Sequence, residues 1–380
     1  MRNALLTLLL LPLLAVADPR ARDLGIPFEG TPGEFNAITD IAGVTVGFES
    51  IIKDLPNGKA VRTGVTAILP RGAASNDQPV FGGWFSLNGN GEMTGTTWVE
   101  ESGFIEGPVM ITNTHSVGAV HEGVTKWRVE HGAADSSGFW WSLPVVAETW
   151  DGYLNDINGF HVRPEHAFAA LNSAESGPVA EGNVGGGTAM RCFEFKCGTG
   201  TSSRVTQAAG DDYTVGVLVQ ANFGSRDHLL VAGVPVGKLM RDNMVYSDDE
   251  PAVEETGSII IIVGTDAPLM PHQLKRLTRR AALGLSRTGS FAGNGSGDIF
   301  IAFSTANEKA NQANSNVSLD TLSNEDMNPL FIATIQAVEE AITNALIEGR
   351  DMTGNRGNTV SAIDHEQLQS ILRQYNRLNE

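Results

Sequence analysis

An α/β fold of two packed sheets with helices outside them is predicted by three features of the chain. Near-continuous apolar runs such as Ile259-Ile260-Ile261-Ile262-Val263 read as strands buried on both faces. Helical spacing recurs among the strands, at Val117, Val120, Val124 and Trp127 and again through residues 328–346. Strand follows strand over residues 41–112 with no helix between, which argues against a simple alternating parallel sheet. At 380 residues, 41% of them hydrophobic, the chain can bury a large core, and no repeat or linker divides it.

The first 17 residues read as an export signal rather than as part of the fold. Arg2 supplies a positive start, Leu5 to Leu14 an apolar run, and Ala15-Val16-Ala17 the small-x-small pattern of a cleavage site. That run is too short to span a membrane, and no later segment reaches about 18 unbroken apolar residues. The mature protein is expected to begin at Asp18 and to be periplasmic or secreted, with no membrane partner.

Strands are expected at Gly43-Val44-Thr45-Val46, at Val65 to Leu69 and at Val109-Met110-Ile111. Helices are expected over Ser116 to Glu130, from near Pro144 towards Tyr153, and over Pro164 to Leu171, where Pro suits the first turn. Residues 182–203, rich in Gly, Ser and Thr, read as loop with one short apolar insert. Tyr213 to Gln220 reads as a buried strand followed by Ala221-Asn222-Phe223-Gly224. Ser247 to Glu255 is acidic, contains Pro251 and lacks periodicity, so an exposed, mobile loop is expected. The apolar strand that begins at Gly257-Ser258 follows at once. Pro271 to Leu285 reads as a helix with a basic face, Asp298 to Ser304 as a strand, and Asn328 to Leu346 as a helix capped by Asn328 and stopped by Gly349. Asp364 to Tyr375 is the last helix.

The net charge of −18 repels phosphate backbones and excludes nucleic acid as an expected partner. It serves solubility first and also favours cationic ligands, a free amine among them. The two cysteines, Cys192 and Cys197, are spaced for a small local loop and are too few for a metal framework. His115 with His121, and His161 with His166, lack the HExxH form and a third ligand. Gly185-Gly186-Gly187 lacks the trailing GK[ST] of a phosphate loop. No metal or cofactor is therefore expected.

The chemistry gathers at Gly257-Ser258. If this bond is cut, Ser258 becomes an amino terminus held at a strand start. Its α-amine, with an ordinary pKa of about 7.7–8.0, can act as general base for its own hydroxyl, so one residue supplies both nucleophile and base. The cut can be self-made: the hydroxyl attacks the Gly257 carbonyl, the acyl group moves from nitrogen to oxygen, and water completes the cleavage. A Gly-Ser pair before a strand is also ordinary turn chemistry, and on the dipeptide alone that reading prevails.

Longer stretches shift the balance. ETWDGYLNDING at 148–159, GNVGGGTAM at 182–190, GTSSRV at 200–205, VGVLVQANFG at 215–224, GSIIIIVGTDAPLMPHQLKRLTRRAALGLSRTGS at 257–290, GNGSGDIFIAFSTAN at 293–307 and EEAITNAL at 339–346 resemble, in order, the family of the L-aminopeptidase/D-alanine esterase-amidase and the β-peptidyl aminopeptidases. The resemblance implies an αββα sandwich of N-terminal-nucleophile type and autoproteolysis of one catalytic domain into parts 18–257 and 258–380. It also implies an oligomer of the associated pairs. By position it makes Ser258 the nucleophile and Asn222 the donor to the oxyanion. Ser296 and Asp298 would stand beside the nucleophile, the carboxylate holding the new ammonium. Some members carry glutamate at that acidic position, and Asp298 is one carbon shorter. The family's substrate-lining tyrosine maps to Trp150 or Tyr153. The implied activity is release of N-terminal residues from short peptides, amides or esters through an acyl-Ser258. An amine-accepting acyltransferase of the same fold and a non-enzymatic exported binding protein are the alternatives.

Overall fold

The computed structural model describes residues 19–132, 141–245 and 256–379. The expected signal segment and the acidic stretch Ser247 to Glu255 lie outside the described residues. In chain order the elements begin with β1 (Thr45–Asp54), β2 (Ala60–Leu69), β3 (Val80–Ser86), α1 (Thr96–Ser102), β4 (Phe104–Ile105) and β5 (Val109–Asn113). Then come α2 (Val117–His131), β6 (Val145–Thr149), α3 (Pro164–Asn172), β7 (Arg191–Cys192), β8 (Phe195–Lys196), β9 (Thr199–Ala208) and β10 (Asp211–Asn222). After α4 (Val236–Leu239) come β11 (Thr256–Thr265), α5 (Pro271–Arg287), β12 (Gly295–Ser296) and β13 (Ile299–Ser304). The chain closes with α6 (Asn328–Ile347), the hairpin β14 (Met352–Thr353) and β15 (Thr359–Val360), and α7 (His365–Gln374).

Two sheets form the middle layers. One has the order β1-β2-β5-β6, and the other β4-β3-β13-β11-β10-β9 with β12 paired to β11. The isoleucine run of β11 divides by strand periodicity between two cores. Ile259, Ile261 and Val263 face α5 and α6, meeting Leu274, Leu277, Ala337 and Ala341. Ile260 and Ile262 face the other sheet, meeting Ile68, Ile111 and Val145. On the far side of the smaller sheet, Val65, Ala67 and Val146 pack on Val120, Val124 and Trp127 of α2 and Ala167 and Ala170 of α3. Helices thus cover both outer faces, and the architecture is an αββα sandwich.

Several sequence expectations are corrected. The helix expected from Pro144 towards Tyr153 is strand β6, parallel to β5 and buried at all five positions. Its Val-Val-Ala run alternates between two cores, so burial on both faces outweighs the apparent helical spacing. Residues 182–203 are more ordered than loop: they hold the β7–β8 hairpin, closed by a Cys192–Cys197 disulfide, and the start of β9. The hydroxyls of β9 are satisfied within the fold. Thr201 donates to the Val217 carbonyl and Ser202 to the Ala337 carbonyl, both at 2.6 Å. Asn328 lies inside α6 behind Met327 and does not cap it. Asn222 is the last residue of β10 rather than a loop residue beyond it. Among the described residues, Asn324–Ile347 is long and apolar enough to cross a membrane, but most of it is buried against the sheet. Three of the four histidines in the two pairs have partners: His161 meets Asp156, His166 accepts the Arg163 N–H, and His115 stacks on Phe160.

An ion cluster joins α6 to the edge of the larger sheet. Buried Glu340 accepts hydrogen bonds from Arg204 at 2.5 Å, from Arg22 at 2.7 and 2.8 Å and from Asn36 at 2.6 Å. Burial alone would raise the Glu340 carboxyl, but the Arg22 hydrogen bonds and the charges of Arg204 and Arg22 outweigh it and hold it below the usual range. The folded value lies below the unfolded one of about 4.3. The resulting stabilisation is therefore complete above that pH and is lost as pH falls through the folded value. Glu340→Ala leaves the buried Arg204 guanidinium without its carboxylate and is expected to cost about 3–5 kcal/mol. Urea unfolding near pH 7 measures this, and the gap between variant and wild type should narrow in acid.

Candidate active site

The start of β11 is held on both sides. Towards β10, Ser258 pairs antiparallel with Asn222. Towards β12, Gly257 pairs in parallel with Ser296, and its carbonyl oxygen accepts the Gly297 N–H at 3.1 Å. Gly257 has φ 149°, a backbone region that side chains disfavour. A Cβ there would overlap the Asn222 carbonyl oxygen and lie 2.8 Å from the Phe223 Cα. Only glycine fits this position while the two strands remain paired.

Ser258 is 5% exposed, at the base of a cavity of about 410 Å³ whose wall includes Gly257, Asn222, Glu148, Trp150 and Arg191. Asn222 is held at both ends of its amide: Nδ2 donates to the Trp150 carbonyl at 2.9 Å, and Oδ1 accepts the Arg191 N–H at 3.1 Å. Its orientation is thereby set, and the amide retains a second N–H.

Ser296 and Asp298 are buried beside the start of β11. The Ser296 hydroxyl donates to Asp298 Oδ1 at 2.7 Å, and the same oxygen accepts the Ile259 N–H at 3.2 Å. The short aspartate thus sits at the backbone of the residue after Ser258. Asn88 grips it: Nδ2 donates to Asp298 Oδ2 at 3.1 Å, and Oδ1 accepts the Asp298 N–H at 2.6 Å.

The two candidate aromatics part company. Trp150 lines the cavity mouth and is 43% exposed. Tyr153 does not line it. After β6 the chain turns at Asp151, whose carbonyl accepts the Leu154 N–H at 3.2 Å. That turn sends the Tyr153 ring against Leu154, Ala189, Met352 and Val360, with the Arg191 guanidinium 4.5 Å above it.

Glu148, in β6, is a cavity-wall carboxylate that reading the sequence did not single out. It is 3% exposed, and its oxygens accept the Glu92 N–H at 3.0 Å and the Thr114 hydroxyl. Burial pushes its carboxyl up, against the lowering effect of those two hydrogen bonds. A charged residue ending the apolar Val145-Val146-Ala147 run was the available signal, since an inward charge on a buried strand needs a reason. The hairpin β7–β8 brings Arg191 and Glu194 to the same cavity through a tight turn in which Phe193 and Glu194 both have positive φ.

Residues 36–360 match peptidase family S58. The chain belongs to that family. S58 membership makes it a hydrolase of the aminopeptidase class, on the fold of the N-terminal-nucleophile hydrolases. It is 53% identical to the beta-peptidyl aminopeptidase BapA of Sphingosinicella microcystinivorans, over 95% of this chain and 93% of that protein. Among solved structures it resembles the L-aminopeptidase D-Ala-esterase/amidase of Ochrobactrum anthropi, described as a prototype of the serine aminopeptidases. That match has TM-score 0.89 and 50% identity over 95% of this chain and 99% of that one. It also resembles a Burkholderia sp. beta-aminopeptidase, with TM-score 0.85 and 45% identity over 93% and 98% of the two chains. An S58 assignment removes the non-enzymatic binding protein from consideration.

Asn88→Ala removes a donor from the buried Asp298 carboxylate and is expected to cost about 1–3 kcal/mol. Denaturant unfolding of the purified variant checks this.

Proposed function

We propose that this S58 chain is a precursor that cuts its own Gly257–Ser258 bond and then acts as a serine aminopeptidase on short peptides, amides or esters with a free N-terminus. The observation that carries this reading is the Gly257–Ser258 peptide itself: it lies at the base of the cavity, in a backbone conformation that only glycine tolerates, with a carboxylate-bonded serine on the neighbouring strand.

In this reading the cut frees the Ser258 amine, which takes the proton of its own hydroxyl as Oγ attacks the substrate carbonyl. The second N–H of Asn222 donates to the oxyanion of the tetrahedral intermediate. The leaving amine departs with the proton, and water releases the acyl group from Ser258. Ser296 and Asp298 fix the surroundings of the nucleophile. Glu148 receives the substrate ammonium, in keeping with its buried carboxylate on the cavity wall and with the acidic charge balance. The relatives named for β-peptidyl and for L-aminopeptidase activity support an aminoacyl substrate. We also read the chain as exported, supported by the apolar run at 5–14 and by the local disulfide.

Intact mass and N-terminal sequencing of the wild type should show a new terminus at Ser258. Ser258→Ala should remain one chain and be inactive. An uncut, fully active wild-type enzyme would sink the assignment. Glu148→Gln removes a charge-assisted contact, so KM for aminoacyl p-nitroanilides is expected to rise roughly ten- to hundredfold with little change in kcat. Steady-state kinetics on the cleaved enzyme decides it.

A further inference from the structure

We infer that self-cleavage takes its oxyanion donor from the backbone N–H of Gly297 and does not need the Asn222 amide, which serves substrate turnover. This rests on the reading of Ser258 as a self-cleaving nucleophile.

The argument is one of direction. The Gly257 carbonyl is a rung of the parallel β11–β12 pairing and already accepts the Gly297 N–H at 3.1 Å. It therefore points to the side of β11 opposite β10, the strand that carries Asn222. The Asn222 amide meanwhile donates to the Trp150 carbonyl at 2.9 Å and accepts the Arg191 N–H at 3.1 Å, on the cavity side. A donor already bonded to the attacked oxygen strengthens as negative charge grows there and needs no reorganisation.

Gly297 is held in place for this. A Cβ on it would overlap the Asn90 carbonyl oxygen and lie 2.8 Å from the Gly91 Cα. Asn90 braces the turn, its N–H donating to the Ser296 carbonyl at 3.2 Å and its Nδ2 to the Gly295 carbonyl at 2.8 Å.

The step balances without an outside reagent other than water. Ser258 Oγ bonds to the Gly257 carbonyl carbon, and the oxygen becomes an oxyanion on the Gly297 N–H. The carbon–nitrogen bond then breaks, and the hydroxyl proton ends on the departing Ser258 nitrogen. The product is an ester with a free amine, and water splits it into a Gly257 carboxyl group and the Ser258 hydroxyl.

The test follows the appearance of the Ser258 terminus by intact mass, beside turnover of an aminoacyl p-nitroanilide. Asn222→Ala should be cut at the wild-type rate, and the cut protein should turn over substrate about 10²–10³-fold more slowly. Gly297→Ala, which displaces the N–H, should be cut about 10²–10³-fold more slowly than wild type. Uncut Asn222→Ala beside normally cut wild type overturns the inference and leaves Ser258 as nucleophile. Cut and fully active Asn222→Ala overturns it too, as does Gly297→Ala cut at the normal rate. A wild type that is never cut refutes the proposed function itself. Should Gly297→Ala fail to fold, Asn222→Ala alone decides.

Discussion

The site depends on the rungs that flank the first residues of β11. Paired strands lie about 4.8 Å apart, so the register Asn222↔Ser258 on one side and Gly257↔Ser296 on the other brings two remote segments within reach of one peptide bond. That register is maintained far from the site. Ile259, Ile261 and Val263 fill the core under α5 and α6, while Ile260 and Ile262 fill the core between the sheets. Slipping by one residue would exchange those faces and put a side chain where only Gly257 fits. Burial of five large apolar side chains, each worth about 1.5–3 kcal/mol, thus holds the geometry of the Gly257–Ser258 peptide.

Polar groups around this frame are arranged as supports. Asp298 is gripped by Asn88 from the loop after β3, Asn222 by the hairpin that carries Arg191, and Glu148 by Thr114 and the Glu92 N–H. Each holding group comes from an element distant in sequence, so the site is rigid only when both sheets are assembled. The disulfide of the β7–β8 hairpin closes a turn with two consecutive positive-φ residues, Phe193 and Glu194, and so keeps the Arg191 N–H at its post.

What the sequence disclosed follows from the same physics. β11, α5, α6 and α7 were legible because their burial pattern is local: a run of isoleucines buried on both faces, or apolar residues at helical spacing. β6 was misread because its five positions, Val145 to Thr149, are all buried and show no alternation of exposure, and a short apolar run does not distinguish strand from helix. β9 was hidden because its Thr201 and Ser202 hydroxyls are satisfied by Val217 and Ala337, contacts beyond what a local pattern records. At the site, the residues with family motifs could be named in advance. Trp150 and Tyr153 could not be separated until the turn at Asp151 was seen, Glu148 carried only the signal of a charge ending an apolar run, and Asn88 acquires meaning only from partners brought in by the fold.

The strand order of the larger sheet alternates between the two sides of the Gly257–Ser258 bond. β13 and β11 lie between β3, from before that bond, and β10, also from before it. The Arg204–Glu340 contact bridges the same divide. A chain nicked there would stay interlocked, yet its folding would change order. The uncut chain reaches the sandwich as one molecule, whereas two separated pieces would have to find each other before the inner strands could be inserted. Such a protein would remember its synthesis: once fully unfolded, its recovery would depend on concentration, and its endurance would be governed by how slowly it opens.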